Sequence, residues 1–126
     1  MSVNVLHERN PLFVLLSDGS IRNDYTVRIL NKGDSRKFAL DVTGVPNAVV
    51  HVSGIERQAD GRLVIDVGQD QTREIRVSVQ VGSTALPRGA VEIEFKATDT
   101  LTGLDATAKG HFVPVDRKVA STDISV

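Results

Sequence analysis

Apolar and polar residues alternate along most of this 126-residue chain. The longest alternating run covers residues 72–81, where Ile75, Val77, Val79 and Val81 are separated by charged or polar side chains. A strand with one face in a core and the other in water requires this period of two. The same pattern predicts further strands at 13–16, 25–29, 37–42, 49–52, 62–67, 91–97 and 105–113.

Turn-forming pairs such as Asp18-Gly19 and Asp60-Gly61 separate these runs at intervals of roughly 8–15 residues. This rhythm predicts an all-β fold, an immunoglobulin-like antiparallel β-sandwich of seven or eight strands. A small closed barrel is the alternative, but the strands lack the size taper and corner glycines that a barrel needs. We expect one domain over residues 1–115 and a polar, frayed tail over 116–126.

Composition removes several classes of function. The chain has no cysteine, which excludes thiolate zinc sites, iron–sulfur clusters and disulfides within it. The chain has 15 basic and 16 acidic residues and 4% aromatics. This composition lacks the excess of positive charge and the stacking side chains that nucleic-acid binding requires. No stretch reaches 18 consecutive apolar residues, so we expect no membrane span here, and the N-terminus lacks the pattern of a signal peptide.

No catalytic constellation is recognisable. The histidines His7, His51 and His111 do not have the spacing of a metal pair, and no nucleophile elbow occurs. We expect His51 and His111 to face solvent and His7 to form a salt bridge or a cap. Glu92 and Glu94 alternate with apolar residues and predict a solvated strand face rather than an acid–base pair. The sequence therefore predicts no catalytic site and no bound cofactor in this chain.

One segment carries more polar side chains than folding requires. It contains His7, Glu8, Arg9, Asn10, Asp18, Arg22 and Asn23. These residues predict either a polar network that fixes the start of the domain or a docking surface. Ordinary loop and edge-strand polarity is the alternative interpretation.

The same segment resembles a known family. VLHERNPLF at 5–13, LSDGSIRN at 16–23 and YTVRILNK at 25–32 are similar to the C-terminal domain of the FixG/CcoG (RdxA) family of membrane-bound cytochrome c oxidase accessory proteins. Glu8 stands where the family prefers Asp, a change of one methylene. Beyond residue 32 the resemblance is mainly one of strand pattern.

The resemblance implies a larger parent protein. Members of the family have several transmembrane helices and a ferredoxin-like region whose cysteines hold two [4Fe-4S] clusters. They take part in assembly of cbb3-type cytochrome oxidase through copper handling and electron transfer. The domain would follow the last transmembrane helix, on the periplasmic side of the bacterial inner membrane. The redox activity would belong to the cysteine-containing part.

We therefore expect a non-catalytic accessory domain that acts by protein–protein contact. Its partners would be the membrane part of its parent, cytochrome oxidase subunits or copper carriers, through strand edges and the segment 5–23. The alternative is a copper-binding domain using His7, His51 or His111, although Cu(I) sites usually add Met or Cys and Met1 is the single methionine. A stand-alone enzyme or a carbohydrate-binding module is a third class, disfavoured by the few aromatics. Nitrogen fixation and respiration both remain open as the physiological context.

Overall fold

The computed structural model describes residues 1–9 and 12–114, and within these ranges every regular element is a β-strand. The strands are β1 (Ser2–His7), β2 (Val14–Leu15), β3 (Ile21–Leu30), β4 (Arg36–Thr43), β5 (Val49–Val52), β6 (Leu63–Val67), β7 (Thr72–Val81), β8 (Val91–Asp99) and β9 (Asp105–Phe112). The described part of the chain contains no helix that is long and apolar enough to cross a membrane.

The strands form two antiparallel sheets. The large sheet has the order β1-β3-β7-β5, with β2 also paired to β3, and the small sheet has the order β6-β4-β8-β9. The predicted all-β antiparallel sandwich is confirmed. The barrel alternative is wrong, because no ladder joins the two sheets in the described residues.

The described residues contain nine strands rather than seven or eight, and the additional strand is β1. Its inward positions are Val3, Val5 and His7, so the apolar pattern stops after two residues. Pairing with β3, from Ser2 opposite Leu30 to His7 opposite Tyr25, makes this segment a strand. The predicted boundary at residue 115 and the tail over 116–126 lie outside the described residues.

The core lies between the inward faces of the two sheets. Its largest fully buried side chains are those of Tyr25, Phe38, Phe95 and Phe112. The rings of Tyr25 and Phe95 meet edge to face across the two sheets, with centroids 5.0 Å apart. Burial of these alternating residues is the main favourable contribution to the stability of the sandwich.

Small residues on β9 allow β1 to pack closely beside it. Ala106, Ala108 and Gly110 face inward, and a Cβ on Gly110 would lie 3.4 Å from Phe95 and 3.7 Å from Val5. This side of the sandwich is therefore closed by contact between one strand of each sheet.

The two ends of the sandwich differ in what they carry. One end, here called the hairpin end, holds Met1 and the loops at 31–35, 68–71 and 100–104. The opposite end holds the turn at 16–20, the loop at 82–90 and the point where the chain leaves β9. The predicted polar segment lies at this opposite end.

Candidate interaction site

The polar segment is divided between two faces of the large sheet, because side chains alternate along β3. Asn23 and Tyr25 point into the core, whereas Arg22 and Asp24 lie on the outer face. The described members of the predicted segment therefore lie on two faces and not on one.

The inward residues join the two sheets through hydrogen bonds. The fully buried Asn23 donates through Nδ2 to the carbonyl of Val113 at 2.9 Å and accepts from the Val113 N–H at 2.8 Å. The Tyr25 hydroxyl, also fully buried, donates to the carbonyl of His111 at 2.7 Å. These bonds tie β3 to the end of β9 and to the residue that follows it.

His7 extends this inward group at the end of β1. Its ring lies 4.6 Å from that of Tyr25, centroid to centroid, and its Nε2 is 3.1 Å from the carbonyl oxygen of Leu12. Because a carbonyl can only accept, Nε2 carries the proton. Burial lowers the pKa of His7 below 6.5, the hydrogen bond to Leu12 opposes this shift, and the charge of Arg9 adds to it. The neutral imidazole is thus the form that the fold favours, instead of the expected salt bridge.

The outward residues surround a cleft of about 190 Å³ on the face of the large sheet, here called the charged cleft. It is lined by Glu8, Arg22, Asp24, Tyr25, Ser53, Arg76, Val77 and Ser78. Arg22 Nε lies 3.0 Å from Asp24 Oδ1 but is not aligned for a hydrogen bond with it. Asp24 also accepts from the hydroxyl of Ser78 at 2.9 Å, and Glu8 accepts from the hydroxyl of Thr26 at 2.6 Å. Two guanidinium groups and two carboxylates thus face solvent together, which suits contact with a polar partner surface.

The strand register brings the three residue types of a hydrolytic triad into one row. Ser78 on β7 lies opposite Asp24 on β3 and opposite His51 on β5. A triad requires the imidazole between the hydroxyl and the carboxylate. Here the hydroxyl occupies the middle position and donates directly to Asp24, while His51 is exposed at the edge strand. The row therefore lacks the imidazole between the hydroxyl and the carboxylate that a triad needs.

The three histidines do not converge. His51 lies on the outer face of the large sheet and His111 is exposed on β9, as predicted, while His7 faces the core. Among the described residues, no group of three or more His, Asp or Glu side chains is arranged to hold a metal ion. The geometry adds no support to the copper alternative.

The remaining predicted residues occupy separate places. Arg9 is exposed beyond β1. Asp18 holds the turn before β3 by accepting from the N–H and the hydroxyl of Ser20, which lowers its pKa. Asn10 lies outside the described residues. The predicted interaction surface stays a prediction.

Sequence reasoning did not single out Tyr25, which belongs to the inward hydrogen-bonded residues, or Asp24 and Ser78, which line the charged cleft. Tyr25 is the single tyrosine of the chain and stands at an inward position of a strand. A buried tyrosine needs a hydrogen-bond partner for its hydroxyl, and this was the available signal. Asp24 and Ser78 meet across 54 positions of sequence, which no local pattern indicates.

Comparison with known proteins places the chain in a family. The family model described as "IG-like fold at C-terminal of FixG, putative oxidoreductase" matches residues 1–114. The nitrogen fixation protein FixG of Rhizobium meliloti (strain 1021) is 42% identical over 91 residues, which are 71% of this chain and 16% of that protein. Protein RdxB of Cereibacter sphaeroides is 33% identical over 117 residues, 92% of this chain and 22% of that protein.

A solved structure shows the same fold. The crystal structure of a FixG-related protein from Vibrio parahaemolyticus superposes with a TM-score of 0.73 at 20% identity, covering 88% of this chain and 93% of that chain. The chain spans less than a quarter of the length of the curated relatives that it matches. The resemblance found in the sequence is confirmed: the chain belongs to the FixG family and has the immunoglobulin-like fold of its C-terminal domain.

Proposed function

We propose that this chain is a non-catalytic accessory domain of a FixG-type membrane-bound iron–sulfur protein. In this proposal the parent takes part in cbb3-type cytochrome oxidase assembly and copper handling, and the domain contributes protein–protein contact on the periplasmic side of the inner membrane. The observation that carries the proposal is the family match over residues 1–114, in a chain that corresponds to 16–22% of two of its longer relatives.

Two observations support a non-catalytic role. The row formed by Asp24, Ser78 and His51 has the wrong order for nucleophilic catalysis. The chain has no cysteine, so the two [4Fe-4S] clusters of the proposed parent would be held by its other regions.

The structure favours a face rather than two of the strand edges as the contact surface. Arg57 donates to the carbonyl of Val50 on the edge strand β5 at 3.2 Å, and Arg73 donates to that of Asp66 on the edge strand β6 at 2.8 Å. An added strand would need such carbonyls as acceptors, so the two arginines oppose strand addition there. The charged cleft lies on the open face of the large sheet and carries Arg76 with Glu8.

The first experiment deletes this domain from a full-length FixG-type protein in its bacterial host and measures the amount of active cbb3-type oxidase in the membranes. We expect a loss of active oxidase while the iron–sulfur clusters of the parent remain. An unchanged oxidase level would refute the proposed function.

A charge reversal then locates the contact. Arg76→Glu in the charged cleft should lower both oxidase assembly and crosslinking to oxidase subunits or copper carriers. Arg88→Glu makes the same charge change at an exposed loop position and serves as the matched control. Equal effects of the two substitutions would exclude the charged cleft as the contact surface.

A further inference from the structure

Arg76 stands in the middle of the outer face of the large sheet without a partner of its own. It lies on β7 opposite Thr26 and is exposed. Among the described residues, its guanidinium forms no ion pair and donates no hydrogen bond. A guanidinium carries five N–H donors in a planar fork, so the whole binding capacity of this side chain is unused within the fold.

Two carboxylates near Arg76 are bound by other side chains. Glu74 is two residues before Arg76 on β7 and therefore shares its face of the sheet, but Glu74 accepts from Arg28 Nε at 2.8 Å. Glu8 lines the charged cleft together with Arg76, is half-buried and accepts from the hydroxyl of Thr26 at 2.6 Å. Neither carboxylate neutralises the guanidinium of Arg76.

Asp24, a further carboxylate on this face, is neutralised by a different arginine. It forms an ion pair with Arg22 at 3.0 Å and accepts from the hydroxyl of Ser78 at 2.9 Å. The side chains that line the charged cleft carry two positive and two negative charges, and their formal sum is zero. Within this balance, the positive charge of Arg76 is the one that is both exposed and unpaired.

A second unused donor lies beside Arg76. Ser53 follows β5, and its N–H donates to the carbonyl of Arg76 at 3.0 Å, which places both residues side by side in the charged cleft. The Ser53 side chain is exposed, and its hydroxyl makes no hydrogen bond within the part of the chain that the structure describes. Because a guanidinium and a hydroxyl can both donate here, the cleft is suited to an acceptor group from outside the domain.

The chemistry of the cleft favours a protein carboxylate over other anions. A carboxylate can accept two parallel hydrogen bonds from the fork of a guanidinium. A phosphate monoester carries a charge of roughly −1.5 to −2, and Glu8 and Asp24 in the same cleft would repel it. Anionic lipid headgroups need a cluster of about four to eight basic residues, whereas two line this cleft. A basic side chain would meet carboxylates that are already hydrogen-bonded.

We infer that Arg76, assisted by Ser53, binds a carboxylate side chain in an acidic segment of the protein that contacts the charged cleft. The pair strengthens as the contact excludes water from the cleft. A partner that places a basic residue there leaves the guanidinium unpaired and is disfavoured. This inference rests on the proposed function, in which the domain acts by protein–protein contact, and adds the chemistry of the partner.

Photo-crosslinking in the full-length parent protein, in its bacterial host, tests the inference. The photo-reactive residue p-benzoylphenylalanine replaces His51, which is exposed on β5 opposite Ser78 and lies on the face that carries Arg76. Mass spectrometry identifies the crosslinked segment, and we expect it to contain Asp or Glu. Arg76→Glu should lower the crosslinking yield about tenfold or more. Arg76→Lys keeps the charge but not the fork and should lower the yield less.

A charge swap is the decisive comparison. Replacing the acidic residue of the crosslinked segment by Lys should lower the yield as Arg76→Glu does, and combining the two substitutions should restore it. Arg88→Glu makes the same charge change at an exposed loop position and should leave the yield unchanged. Thermal unfolding of each variant checks that the substitutions at the exposed Arg76 leave the fold intact.

Several results would overturn the inference. They are a crosslinking yield that does not depend on Arg76, a crosslinked segment without an acidic residue, and a double variant whose yield is not restored. A crosslink to a second copy of the domain, or one that requires anionic phospholipid, would assign the surface to a different occupant and also overturn it. The oxidase level after domain deletion is measured separately. An unchanged level refutes the proposed function whatever the charge swap shows, and a failed charge swap leaves the oxidase result in place.

Discussion

The pair of hydrogen bonds between Asn23 and Val113 should be a principal polar link between the two sheets. Asn23→Ala removes both bonds and leaves the N–H and the carbonyl of Val113 without their partner. Each buried group left unpaired costs about 1–3 kcal/mol. Val113 is only half-buried, and water can reach it in part. We therefore expect a loss of about 2–4 kcal/mol in the free energy of unfolding.

A second substitution tests the mechanism. In Asn23→Asp one oxygen of the ionised carboxylate can still accept from the Val113 N–H. The other oxygen takes the place of the amide nitrogen, which lies 2.9 Å from the Val113 carbonyl oxygen, and the two oxygens repel each other. Protonation restores a donor, because the carboxyl O–H can replace the amide N–H. The folded state thus raises the pKa of this carboxyl above its unfolded value of about 3.9. A folded state that binds the extra proton gains stability as the pH falls. The deficit relative to wild type should therefore shrink between pH 7 and about pH 4.

Urea denaturation at several pH values measures both effects. Tyr25 is the single tyrosine in a chain without tryptophan and is fully buried, so its fluorescence reports on the core beside Asn23. Asn4→Ala, at an exposed position of β1, is the control and should change stability by less than about 0.5 kcal/mol. A loss below about 1 kcal/mol for Asn23→Ala, or a deficit of Asn23→Asp that does not vary with pH, would refute this reasoning.

Three further predictions concern other parts of the fold. The pKa of His7 is lowered in the folded state, so its contribution to stability is present above pH 6.5 and is lost as the pH falls below that value. His7→Phe should therefore flatten the pH dependence of the free energy of unfolding between pH 7 and 5. An unchanged slope would contradict this expectation. Gly44→Ala should destabilise the domain by at least about 2 kcal/mol, because Gly44 has a φ of +119° and a Cβ there would lie 2.5 Å from the Glu92 carbonyl oxygen. Gly110→Ala, whose Cβ meets ordinary contacts, should change stability by less than about 1 kcal/mol in the same thermal unfolding assay. Asp99→Ala should speed amide exchange at Leu101 and Thr102, whereas Asp60→Ala, which removes a similar turn carboxylate beside Arg62, should leave those two amides unchanged.

Period-two alternation was sufficient to predict eight of the nine strands in the described residues, but not the order in which they pair. Residues 49–52 and 72–81 were predicted with the bounds that the structure has, because a one-sided strand must alternate wherever its neighbours place it. Alternation did not predict β1, because its third inward residue is His7. Only the contact of that ring with Tyr25 makes the position part of the core.

The polar segment shows the limit of local reasoning more clearly. Its residues are close in sequence, but alternation along β3 sends Asn23 into the core and Arg22 to the outer face. The partners of Asn23 and Tyr25 lie just after β9 and on it, 90 and 86 positions away, and Asp24 accepts from Ser78 on β7. Which atoms satisfy a buried amide depends on how the two sheets pack, and sequence spacing does not specify this.

The sequence by itself determined the all-β class, the alternating core faces, the lack of thiol chemistry and the resemblance to the FixG family. Those features follow from residue type and local period, which do not depend on the packing of distant strands. The tertiary structure decided that Asp24, Ser78 and His51 form a row without catalytic order and that Asn23 bonds Val113 between the sheets. It also decided that the exposed Leu104 lies beside Met1, at the start of β1. These depend on long-range register and on the meeting of loops at one end of the sandwich, which arise only when the two sheets bury their apolar faces against each other.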